Sequence, residues 1–178
     1  MNEQYNTIKA IEICYHPIGL IHSEFTIQEE TPIQGIFNES IGTVEVFSEY
    51  AEGLQEIESF SHIILLYHFH RAQGGPLLQK PFLDVEKARG IFAIRHFNRP
   101  NPLGISIVRL LSVEGNILTI KGVDILDKTP LIDIKPYVFQ FDNRNEVSSG
   151  WVDDQHFDGI AEWNSTPKAL RDRKRINL

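Results

Sequence analysis

Ten residues from Arg95 to Gly104, Arg-His-Phe-Asn-Arg-Pro-Asn-Pro-Leu-Gly, gather two arginines, two asparagines and two prolines between the apolar segments Gly90–Ile94 and Ile105–Val113. Each proline fixes its own φ and drives the preceding residue toward extended geometry. Pro100 and Pro102 therefore make a stiff loop that can be neither helix nor central strand. A rigid loop flanked by guanidinium groups suits the capture of a polar or anionic ligand, because little ordering entropy is lost on binding. The plainer alternative is a stiff connector with solvated arginines. A second candidate group is His62, His68 and His70. On one unbroken strand these even-numbered side chains share a face. His68 and His70 could then chelate a metal, whereas His62 would lie roughly 20 Å along the strand. A third ligand would have to come from elsewhere, so no metal site is assigned; the other reading is that His62 caps the strand and the pair lines a polar cavity. The third group is Asp124–Tyr137, where Pro130 and Pro136 bound a turn and a short strand. Asp133 and Lys135 share a face there and read first as an ion pair. Lys128–Leu131 is expected to leave backbone polar groups outside any ladder.

The elements that must position these residues are mostly strands. Thr43–Phe47 alternates between Gly42 and the polar stretch Ser48–Gly53. Ile63–Phe69 is a continuous apolar run of strand length, expected to be buried on both faces. Gly90–Ile94 is a shorter segment of the same kind. Ile105–Val113, the turn Glu114-Gly115-Asn116 and Ile117–Lys121 predict an antiparallel hairpin. Ile11–Tyr15, Gly19–His22, Val123–Leu126 and Ile132–Ile134 are further strand candidates. Helical signals are few: Tyr50–Phe60 supports one or two turns, and Pro167–Arg175 begins with a proline after Ser165-Thr166, an acceptable cap and first turn. Many short strands with few helices predict an all-β fold, an antiparallel single-sheet barrel. Residues 1–142 are expected to form that barrel and 143–178, marked by Trp151 and Trp163, an irregular extension rather than an independent domain.

Composition narrows the classes of function. At 178 residues and 42% hydrophobic the chain can bury a sizeable core. Its single cysteine, Cys14, excludes an internal disulfide and a thiolate metal cluster. Met1–Ile8 lacks the basic-then-apolar pattern of a signal peptide, and the longest apolar run, Ile63–Tyr67, is too short to span a bilayer. No membrane role and a cytoplasmic location are the expectation. There is no G-x-G-x-x-G, P-loop, H-E-x-x-H or nucleophile elbow. The net charge of −7 opposes a surface wholly given to nucleic acid. Acidic residues nevertheless crowd the first sixty positions, while Arg71, Lys80, Lys87, Arg89, Arg95, Arg99 and Arg109, then Lys168 and Arg171–Arg175, come later, a pattern that permits a basic face.

Several of these segments together resemble one family. Thr31-Pro32-Ile33-Gln34, Gly53-Leu54, Phe60-Ser61-His62-Ile63, Phe69-His70, Gly90–Arg95, Arg99–Gly104 and Asp124–Tyr137 are similar to the TsaA/YaeB-like, or TrmO, group of tRNA methyltransferases, which methylate N6 of threonylcarbamoyladenosine beside the anticodon. The R-P-N-P-[LI]-G core and the block Asp127–Tyr137 are specific, and the resemblance covers about Tyr15–Asp142. It implies a single-sheet barrel, a homodimer, tRNA as partner and S-adenosylmethionine as methyl donor. By motif it implies cofactor contacts at Pro32, Ile33, Gln34, Phe69, His70, Arg95, Ile105, Lys128, Thr129, Pro130 and Leu131. Arg71, Arg99 and Asn101 are the candidate tRNA contacts. Two departures stand out. Bacterial members resemble P-R-Q-P-G where this chain has Pro32–Ile36, without the arginine, and longer members carry a second small domain where this chain ends at Leu178.

The implied chemistry suits these residues. A sulfonium is attracted to carbonyl dipoles and aromatic faces, which Thr129-Pro130 and Phe69 could supply. A ligand carboxylate calls for an arginine such as Arg95. The acceptor N6 is a weak nucleophile when its lone pair is delocalised into a carbamoyl group, so a general base would help. His70, Asp127 and Asp133 are the candidates. The rival readings are a His-ligated metal hydrolase on His68 and His70, and a non-catalytic RNA- or nucleotide-binding barrel.

Overall fold

A computed structural model describes residues 11–166. The Met1–Ile8 segment, the helix expected over Pro167–Arg175 and the cations at Lys168 and Arg171–Arg175 lie outside the described residues. The strands are β1 (Gly19–His22), β2 (Ile41–Val46), β3 (His62–His68), β4 (Leu78–Gln79), β5 (Arg89–Gly90), β6 (Leu103–Glu114), β7 (Ile117–Lys121) and β8 (Thr129–Pro136). Six of them close into an antiparallel barrel in the order β1-β2-β7-β6-β3-β8, while β4 and β5 form a separate small ribbon. The all-β expectation is met.

The β6–β7 hairpin turns at Gly115, whose φ of 63° is the left-handed conformation that glycine adopts without steric cost. Its twelve-residue first strand alternates strictly from Gly104 to Leu110, with Ser106 and Val108 turned inward and Ile105 and Ile107 outward. β3 behaves the same way: Ile63, Leu65 and Tyr67 are buried, and the residues between them only half-buried. The sequence predicts burial on both faces of this run, but a small closed barrel has one interior, so each strand offers it only alternate residues. Ile21, Val44, Ile63, Leu65, Leu118, Ile120 and Leu131 fill that interior at 0% exposure. Burying such side chains, each worth about 1.5–3 kcal/mol, is what the barrel geometry achieves.

Several segments differ in detail from expectation. Ile11–Tyr15 is exposed and forms no strand, because β1 already pairs β8 and the closed barrel has no free edge. Gly90–Ile94 contributes only Gly90 to β5 before a 3-10 turn over Ile91–Ala93, which buries Ile91 and leaves Phe92 exposed. Val123–Leu126 is a loop whose alternating Val123 and Ile125 drop into the core cluster; its strand-like pattern comes from plugging the barrel. Thr129–Leu131 lies in a ladder opposite Ile21, Leu20 and Gly19, so the backbone there is paired rather than free. Tyr50–Phe60 makes 3-10 turns, Ser48–Leu54 and Ile57–Ser59.

Gly104, the last residue of the proline-rich motif, sits opposite Tyr67 across the β3–β6 ladder. A Cβ there would come within 2.1 Å of the Tyr67 ring. Gly104→Ala is therefore expected to destabilise the barrel by about 1–3 kcal/mol through overpacking. Denaturant titration measures this, and a midpoint equal to wild type would refute the assignment.

Candidate functional site

At one end of the barrel, three loops converge on a cleft lined by Tyr67, Phe69, His70, Arg71, Phe97, Asp124, Ile125, Leu126 and Thr129, with Gln28, Thr31 and Ser165 on its other side. The wall is aromatic. Tyr67 and Phe69 meet edge to face at 5.3 Å, and Phe69 and Phe97 at 6.3 Å. Phe69 is placed by its N–H, which donates to the Pro102 carbonyl at 2.8 Å, tying the end of β3 to the proline-rich loop. Arg99 holds that loop from inside: its guanidinium donates to the carbonyls of Ile91 and Ile94 at 3.1 and 2.8 Å. Asn101 is exposed on the same loop, and Arg71 donates to the Thr26 carbonyl at 2.7 Å.

The first loop, Thr31–Gly35, closes over this end. Arg95 donates to Gln34 Oε1 at 2.8 Å, joining two of the expected cofactor contacts that are far apart in sequence. Gly35 N–H donates to Asp124 Oδ2 at 2.8 Å, and Ser106 Oγ donates to Asp124 Oδ1 at 2.7 Å. With its proton so committed, Ser106 accepts from the Tyr67 hydroxyl, 3.1 Å away. Burial pushes the Asp124 carboxyl above the usual carboxylate range, against the opposing pull of those hydrogen bonds and of Arg95. Burial, and then Asp124, pushes the Tyr67 phenol up, so it remains a hydrogen-bond donor. Burial, with Arg71 and His68, lowers His70, leaving a neutral imidazole at physiological pH; its Nδ1 lies 3.4 Å from Thr129 Oγ1.

The cleft thus brings together Phe69, His70 and Thr129, with Gln34 and Arg95 paired on the loops that meet there. Pro32 and Ile33 are half-buried on the first loop, and Pro32 forms a backbone bridge with Asn164 of the C-terminal segment. Ser165 hydroxyl donates to Pro32 O at 2.9 Å, and Trp151 Nε1 to Ala93 O at 2.8 Å, so the C-terminal segment touches these loops at Trp151 and Ser165. Lys128 is exposed in a left-handed turn with φ of 61°, two residues before Pro130, which is opposite Leu20. Leu131 faces the core, and its carbonyl accepts from Ile18 N–H. Ile105 points outward from β6, opposite Leu66. Asp133 pairs with Lys135 at 2.7 Å outside the cleft lining. Asp127 is engaged by His22 Nδ1 at 3.4 Å and by Ser23 N–H at 3.3 Å.

The histidines do not share one strand face. β3 ends at His68, and His70 lies in the following turn. Among the described residues no group of three or more His, Cys, Asp or Glu side chains could hold a metal ion. Sequence reasoning missed Tyr67 and Ser106, and placed Asp124 in a polar group without giving it a role. The available signal was a polar residue interrupting an apolar pattern: Ser106 on the inward face of β6, and Asp124 between the buried Val123 and Ile125.

A closed barrel with an aromatic cleft at one end, the Arg95–Gln34 pair on adjoining loops and a part-buried carboxyl on its wall defines a small-ligand site that can take an aromatic base and a charge. The chain belongs to the tRNA-methyltransferase O N-terminal domain family, whose model matches residues 20–143. A probable S-adenosyl-L-methionine-binding protein of Pyrococcus abyssi is 58% identical over 147 residues, covering 82% of this chain and 79% of its own. A tRNA (adenine(37)-N6)-methyltransferase of Mus musculus is 33% identical over 79% of this chain and 34% of its own. A crystal structure of TrmO matches with a TM-score of 0.70 at 34% identity, covering 79% of this chain and 64% of that one. The chain therefore spans just under two thirds of that TrmO chain. Among the described residues no helix is long and apolar enough to cross a membrane.

Proposed function

We propose that this protein is an S-adenosylmethionine-dependent methyltransferase acting on N6 of adenosine 37 in tRNA, with threonylcarbamoyladenosine as the acceptor. The observation that carries the reading is the cleft of Phe69, His70, Thr129 and Asp124 beside the Arg95–Gln34 pair, in a chain whose family and relatives are named for this donor and this base. The residues suit the donor. Aromatic faces and a carboxylate suit a sulfonium and an adenine, and Arg95 at the rim suits the amino-acid carboxylate. When bound, the donor supplies an activated methyl group.

The chain's part is to hold acceptor and donor in line, where much of the acceleration of a displacement originates. His70, neutral and on the cleft wall, is competent to take the N6 proton. The reading extends to a homodimer, supported by the outward stripe of Leu103, Ile105, Ile107 and Leu111 on β6, each 44–55% exposed. It also extends to the cytoplasm, where tRNA is found, and to an extension after Asp142 that serves the barrel rather than folding alone.

Calorimetric titration with S-adenosylmethionine, followed by mass spectrometry of tRNA nucleosides from a deletion strain, tests the reading. Absence of donor binding would leave the inert barrel as the better account, and loss of activity on chelation with recovery on added zinc would revive the hydrolase. Because the protein is acidic overall, tRNA must meet a local set of cations. Affinity for tRNA is expected to fall with salt, with a log–log slope near −0.7 to −0.9 per phosphate contacted. Arg71→Ala should flatten that slope; an unchanged slope removes Arg71 from the interface.

A further inference from the structure

Asp124 poses an electrostatic problem that the hydrogen bonds around it do not solve. Its carboxyl is part-buried on the cleft wall, and both oxygens receive hydrogen bonds from neutral donors, Ser106 Oγ and Gly35 N–H. The ion pairs among the described residues, such as Arg89 with Asp84 and Lys135 with Asp133, lie elsewhere. Arg95 is the one described cation whose field acts on Asp124, and its guanidinium is engaged by Gln34. A carboxylate partly withdrawn from water without a bonded cation is disfavoured, and an amide side chain there would cost the fold less. The neighbouring walls, Tyr67 and Phe69, present ring surfaces that attract cations rather than anions.

We propose that Asp124 is the counter-charge for the sulfonium of the methyl donor, and that it makes the cleft discriminate between the charged donor and its neutral thioether product. The inference rests on the methyltransferase reading. In the transfer the C–S bond breaks and its electron pair stays on sulfur, which becomes neutral. The N6 lone pair forms the new N–C bond, and the positive charge leaves nitrogen as a proton. Asp124 therefore attracts the ligand that arrives and has no ionic hold on the thioether that remains, which favours release of product.

The test compares binding of S-adenosylmethionine and S-adenosylhomocysteine to the full-length protein by calorimetry, in wild type and Asp124→Asn. Wild type is expected to bind the sulfonium about ten- to hundredfold more tightly than the thioether. In the asparagine variant that ratio should collapse toward one, with thioether affinity within about twofold of wild type. A wild-type ratio near one, an undiminished ratio in the variant, or equal loss of both ligands would overturn the proposal; equal loss would make Asp124 a prop for the first loop acting through Gly35. If wild type binds neither ligand, the methyltransferase reading itself fails. Should Asp124→Asn not fold, Asp124→Ser, which keeps an acceptor for Gly35 N–H, carries the same comparison.

Discussion

Arg95→Ala is expected to weaken binding of S-adenosylmethionine by about 1.5–3 kcal/mol, roughly ten- to hundredfold, the range for a hydrogen bond to a charged group. Arg95 is exposed at the rim and donates to Gln34 Oε1 at 2.8 Å, so the substitution removes a cation and also frees Gln34. The barrel should be little affected, because Arg95 makes no core contact: its neighbour Ile94 is the buried residue. The informative pattern is lost donor affinity at constant thermal stability. Arg95→Lys keeps the charge but not the planar fork, and should recover only part of the loss. Calorimetry reads both, and unchanged affinity in Arg95→Ala would exclude the guanidinium from the donor site.

Gly35→Ala should have a comparably large effect for a different reason. A Cβ at Gly35 would lie 2.2 Å from the carbonyl oxygen of Gly122, a backbone atom that no side-chain rotation can move. The first loop would have to lift from the barrel, and lifting breaks the bond from Gly35 N–H to Asp124. Losing a donor to a part-buried carboxyl costs about 1–3 kcal/mol in stability. Donor affinity should fall at least tenfold with it, since Pro32, Ile33 and Gln34 ride on the same loop. Together, a lower melting temperature and weaker binding mark loop displacement; normal values of both would show that the loop does not depend on this close approach. The pairing distinguishes Gly35 from Arg95, where binding alone should change.

Stability should also carry a signature of Asp124. Its carboxyl is pushed above the unfolded value, so it binds a proton more readily in the fold than in the unfolded chain. That contribution is fully present below the unfolded pKa and is lost as pH rises through the raised folded value. Asp124→Asn removes this dependence.

Much of the barrel was legible because its signals are local. The position of β2 follows from period-2 alternation, that of β3 from a continuous apolar run and that of the β6–β7 hairpin from β-rich runs about a glycine turn, signals that all involve neighbours in sequence. The stiff Arg99–Pro102 loop is likewise a consequence of proline geometry, and the Asp133–Lys135 pair of two residues sharing a strand face. Family motifs marked Gln34, Phe69, His70, Arg95 and Thr129, without saying which would meet.

What the sequence could not decide were relations made by closing the barrel. Val123–Leu126 alternates like a strand, and only the occupied β1–β8 and β2–β7 ladders reveal it as a plug. Ile105 and Ser106 are adjacent, yet register across β3 sends one outward and the other to Asp124. Gln34 meets Arg95, and Gly35 and Ser106 meet Asp124, across separations of 61, 89 and 18 residues. Alternation and turn chemistry act over a few residues and determine which segments become strands. The side chains that share a cleft are chosen by strand order and register, which depend on burying the whole interior at once.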